Sequence, residues 1–121
     1  MNTIENDADL IISIPCCWKT TFHTRTLFVY EDHLVMQDDD NETIVFSEKY
    51  RDMLSLNYKH KSNLLKGTME LEMMNGNKYE ISLDARYNLE GKRVRFNPEI
   101  NQISKTLPTF INKLIKSSKH S

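Results

Sequence analysis

The sequence predicts a single α+β domain spanning residues 1–121: a bent antiparallel β-barrel or two packed sheets, capped by a kinked C-terminal α-helix. Three observations predict it. "TLFVYEDHLVMQ" and "KGTMELEMMNGNKYEISLD" each alternate apolar and polar residues on both sides of a short turn, the period of half-buried hairpin strands. From Ile100 onward the apolar spacing changes to three and four, the period of a helix. A chain of 121 residues also has the size of one domain, able to bury a core without disulfides or metal.

The elements follow in chain order. "LIISI" and "WKTTF" flank Pro15, which lacks the amide a central ladder needs, so an edge strand or a break is expected there. In the first hairpin a turn at Glu31-Asp32 pairs Val29 with Leu34, Phe28 with Val35 and Leu27 with Met36, like with like. The acids of "DDDNE" then fall where the chain turns before "TIVF" starts another strand. Leu54, Leu56 and Tyr58 alternate with Ser55, Asn57 and Lys59 as a further strand. For the second hairpin, a two-residue Asn75-Gly76 turn would set Leu71 opposite Glu80. A loop Asn75-Gly76-Asn77 is expected instead, pairing Met73 with Tyr79, Leu71 with Ile81 and Met69 with Leu83, with positive φ inside it. "ARYNLEGKR" reads as a loop and "RVRF" as a short strand.

Asn97-Pro98-Glu99 supplies an N-cap, a proline at the first helical position and an acid in the first turn. Pro108 predicts a kink, or two consecutive helices meeting there, because its ring crowds the preceding turn and it has no amide to donate. The expected core comprises Leu27, Val29, Leu34, Met36, Leu54, Leu56, Met69, Leu71, Met73, Tyr79, Ile81, Leu83, Ile103, Leu107, Phe110, Ile111 and Leu114.

Composition narrows the function. Sixteen Lys and Arg against seventeen Asp and Glu give a net charge of -1, so no global field draws the chain to nucleic acid, and none is expected as a partner. The two cysteines are adjacent, which is not a secreted disulfide framework, and the acidic N-terminus has no basic n-region, so a cytoplasmic chain is expected. No apolar run approaches the roughly 18 residues that span a bilayer.

Each constellation that could carry chemistry falls short. Read as a calcium loop from Asp38, the sequence offers Thr43 where Gly is needed at position six and Lys49 where Glu is needed at position twelve. Cys16 and Cys17 point to opposite faces of an extended segment, and the four histidines form no ligand set with them, so inert thiol is expected and no metal site. Three glycines leave little room for phosphate loops or a nucleophile elbow, and neither a catalytic residue nor a cofactor is assigned. The chain is not expected to be an enzyme.

"TRTLFVYEDHLVMQ", "IVFSEKYRDMLSLNYKHK", "GTMELEMMNGNKYEISL" and the helix "NPEINQISKTLPTFINKLIK" together resemble the bacterial PH-like and GRAM-type domains, from Thr24 to Lys116. The resemblance implies a bent barrel plugged by the helix, and a non-catalytic module that docks on another protein, by a strand edge or a groove beside the helix. Phosphoinositide-binding members place a Lys and then Arg-x-Arg around the first hairpin. Lys19 and Arg25 stand here, with Leu27 at the position of the second Arg. The alternative function is therefore peripheral binding to anionic membrane lipid through Lys19, Arg25, Lys59 and Lys61. An unpaired strand edge also leaves homo-oligomerisation open.

Overall fold

The computed structural model describes residues 9–17, 24–39, 42–59, 66–84 and 98–119. Among the described residues seven strands precede one helix: β1 (Leu10–Cys17), β2 (Thr24–Tyr30), β3 (His33–Asp38), β4 (Ile44–Lys49), a 3-10 turn at Tyr50–Asp52, β5 (Met53–Lys59), β6 (Lys66–Met73), β7 (Lys78–Asp84) and α1 (Pro98–Ser118). The strands form two antiparallel sheets, β4-β3-β2-β1 and β7-β6-β5, joined among the described residues by one bridge, between Cys17 and Ser82. Among the described residues β4 and β5 do not pair, so the sheets pack on one another without closing into a barrel.

The first hairpin has the expected register, with Val29 opposite Leu34, Phe28 opposite Val35 and Leu27 opposite Met36. A one-residue slip would have put Leu27 and Val29 in water, and both are fully buried. The second hairpin corrects the expected pairing by two residues: Leu71 lies opposite Tyr79, Met69 opposite Ile81 and Gly67 opposite Leu83. Its loop is Met74-Asn75-Gly76, closed by Gly76 N donating to Met73 O (3.0 Å) and Met73 N to Asn77 O (2.8 Å). The reason is the left-handed residue. A three-residue hairpin loop ends on it, and Gly76 takes that place with φ of 95°, while Asn75 Oδ1 accepts from Asn77 N. Because the shift is even, the same side chains still face the core.

β1 runs unbroken through Pro15, which sits opposite Thr26, and it is the end strand of its sheet of four, as an edge strand was expected there. Proline is tolerated because the other side of β1 meets β7 only at the Cys17–Ser82 bridge, which leaves most of that edge without a ladder. Cys16 is buried within the core, its thiol donating to Ile14 O at 3.5 Å.

Three register irregularities explain three of the exposed aliphatics. Pairing skips Ile11 in β1, Val45 in β4 and Leu54 in β5, and each is a bulge residue turned outward. Their exposures are 43, 37 and 53%. Leu54 was expected in the core. The bulge reverses the alternation ahead of it, so Met53 and Leu56 point in together and Leu54 is expelled.

α1 is one continuous helix through Pro108, not two. It lays Leu107, Ile111 and Ile115 into the core with Ile103 and Leu114 at the margin. Phe110, also expected inside, is 41% exposed. At about 100° per residue it lies roughly 60° round the helix from Leu107, on the side away from Ile111. Phe46 and Tyr79 stack across the two sheets with ring centroids 4.6 Å apart, tying β4 to β7. "ARYNLEGKR", "RVRF" and Asn97 lie outside the described residues.

A substitution Gly76→Ala meets no neighbouring atom but forces a side chain into a left-handed conformation. It is expected to cost about 1 kcal/mol, read as a lower urea midpoint at unchanged slope. An unchanged midpoint would contradict the loop assignment.

Candidate functional site

β4 and β5 are the outer strands, and α1 treats β5 in a specific way. The amide of Asn112 accepts from Leu56 N at 2.9 Å through Oδ1 and donates to Leu56 O at 2.9 Å through Nδ2. Lys119 Nζ donates to Met53 O at 2.7 Å. Side chains of the helix thus occupy backbone groups that a neighbouring strand would otherwise take. Sequence reasoning missed both contacts. The available signal was an Asn, a poor helix former, in mid-helix beside the apolar stripe.

The same docking brings the last turn of α1 beside the first hairpin. A groove of about 380 Å³ opens there, lined by Glu31 and Asp32 from the hairpin turn, Lys49, Tyr50 and Arg51 from the β4 exit, and Leu114, Ser117 and Ser118 from the helix. Tyr50 sets its shape. Its amide donates to Asp32 O, and its hydroxyl donates to Tyr30 O at 2.5 Å, so a buried tyrosine spans the hairpin from turn to strand. Burial, and then the charge of Asp32, push the Tyr50 hydroxyl well above the ordinary tyrosine range. At the lip, His33 Nδ1 donates to Asp32 Oδ1 at 2.5 Å while its ring stacks on Tyr30, centroids 4.5 Å apart. The groove therefore combines half-buried Leu114 with carboxylates on one rim and cations on another. That arrangement can hold a polar segment in a fixed direction.

Of the residues expected to bind anions, Arg25 and Lys59 stand in different sheets. Lys19 and Lys61 lie outside the described residues. Arg25 sits opposite Asp38 on β2 and lines a second groove of about 330 Å³ with Phe46, Lys78, Tyr79 and Glu80. Lys59 lies 3.4 Å from Glu70, a surface pair of small energetic weight. Lys59, Thr68, Ser82, Cys17 and Thr24 form one cross-sheet row, which separates Lys59 from the start of β2 by four strand spacings, on the order of 19 Å along the sheet.

The acidic stretch behaves as a turn where it is described: Asp38 N donates to Thr43 O at 2.8 Å, Asp39 Oδ1 accepts from Thr26 Oγ1 at 2.7 Å, and Glu42 takes φ of 58°. Among the described residues no cluster of His, Cys, Asp or Glu has metal-binding geometry, and no helix is long and apolar enough to cross a membrane. Compared with known families and curated proteins, the chain matches no family model and no curated sequence.

The Tyr50 shift has a consequence for stability. An unfolded tyrosine ionises near pH 10, whereas folded Tyr50 keeps its proton to higher pH. Its contribution is complete below about pH 10 and is lost as pH rises, since above that point the folded state binds more protons than the unfolded one. Tyr79 adds to the trend in the same direction, chiefly through its hydrogen bond to Glu48. Tyr50→Phe is expected to flatten the alkaline fall in stability and to cost about 1 kcal/mol at neutral pH. Denaturant titrations at a series of pH values check both, and an unaltered alkaline slope would contradict the assignment.

Proposed function

We propose that this chain is a non-catalytic binding module of PH-like architecture, which takes an extended protein or peptide segment in the groove between the end of α1 and the first hairpin. The observation that carries the reading is the closure of β5. With Asn112 and Lys119 on its backbone, strand addition there must first break those contacts, whereas the groove beside the helix is already open. Support for the PH-like part is the element order, strands in sheets of four and three followed by one helix.

Peripheral binding to anionic lipid through Lys19, Arg25, Lys59 and Lys61 is the competing reading. Arg25 and Lys59 each stand beside a carboxylate and lie in different sheets, which favours the groove.

The test is selection from a displayed peptide library on the full chain, followed by titration of a selected peptide into isotope-labelled protein. Amide shifts are expected at Asp32, Arg51, Leu114 and Ser117. The double variant Lys49→Glu, Arg51→Glu changes only exposed side chains, so the fold is expected to persist while affinity changes roughly threefold to tenfold. Perturbation confined to Arg25 and Lys59, or salt-sensitive co-sedimentation with anionic vesicles and no shift in the groove, would overturn the reading in favour of lipid.

A further inference from the structure

We propose that β5 is a covered self-pairing edge: α1 shields it, and when the helix contacts are removed it takes a second copy of this chain as an antiparallel strand. The backbone geometry comes first. Leu56 lies opposite Leu71 of β6, yet its N–H and C=O point away from β6 to the Asn112 amide. A residue whose two groups both point outward can exchange a pair of N–H···O bonds with its counterpart on an antiparallel neighbour. Asn112, with one donor and one acceptor, reproduces the hydrogen-bonding set of that counterpart.

The sequence of β5 is also self-complementary about Leu56. In a two-fold pairing centred there, Ser55 faces Asn57 of the second copy, Leu54 faces Tyr58 and Met53 faces Lys59. Lys59 is the only charge in the strand, so no like charges oppose one another. Leu54, 53% exposed on the bulge, finds an apolar neighbour in that arrangement. The bulge itself and the Lys119 bond to Met53 O are further obstacles of the kind that edge strands carry against such pairing.

The experiment is analytical ultracentrifugation of the full chain with Asn112→Ala and Lys119→Ala together, beside the unaltered chain, with circular dichroism to follow folding. The unaltered chain is expected at the mass of one copy. The double variant is expected to melt cooperatively and to show twice that mass as concentration rises, and adding Leu54→Lys is expected to return it to one copy. A folded double variant that stays at one copy overturns the proposal. So does a dimer that Leu54→Lys leaves intact, because it pairs elsewhere. Loss of cooperative melting also overturns it, since Asn112 and Lys119 would then be holding the fold together and not merely covering an edge.

Discussion

The arrangement turns on one side-chain amide taking the place of a strand. Leu56 N and O lie on the outer edge of β5, where an unpaired backbone is open to any other chain, and Asn112 satisfies both. A bidentate contact fixes more than distance. It fits the rotation of α1 in which Leu107, Ile111 and Ile115 are buried and Phe110 is left at the margin. It also sets the position of the helix along β5, so that Lys119 reaches Met53 O and the last turn comes to rest beside the first hairpin. The groove exists because of that placement.

Bulges and hydroxyls shape the outer strands and the junction of the sheets. Each sheet has one outer strand, and each of those carries a bulge that expels an aliphatic residue, Val45 in β4 and Leu54 in β5. The sheets meet through the Phe46–Tyr79 stack, with the Tyr79 hydroxyl donating to Glu48 at 2.8 Å. Between the sheets and the helix, Tyr50 holds the chain where it passes from β4 to β5. Thr68 and Ser82 are buried together and satisfy one another at 3.3 Å, beside the bridge that joins the sheets.

How much of this could be read from the sequence depends on how local the cause was. The first hairpin register was legible because pairing like with like left a single choice, and the start of α1 was legible because Pro98 and Glu99 act within one turn. The second hairpin came out two residues away because the apolar face tolerates any even shift. Only the left-handed requirement at Gly76 selects among such shifts. Leu54 was misplaced for want of any sequence mark of a bulge, and Phe110 because an apolar stripe says little about its own width. The groove was not legible at all. Asp32, Tyr50 and Leu114 are far apart in the chain and meet only through tertiary packing, while the named cations Arg25 and Lys59 were grouped by charge and stand in different sheets.

The most direct measurement is native-state hydrogen exchange at the Leu56 amide, compared between the unaltered chain and Asn112→Ala. If the Asn112 amide closes the β5 edge, Leu56 is protected in the unaltered chain nearly as well as the amides between β5 and β6, and loses most of that protection in the variant while those amides keep theirs. Rapid exchange of Leu56 in the unaltered chain, at the rate of an open strand edge, would contradict the account.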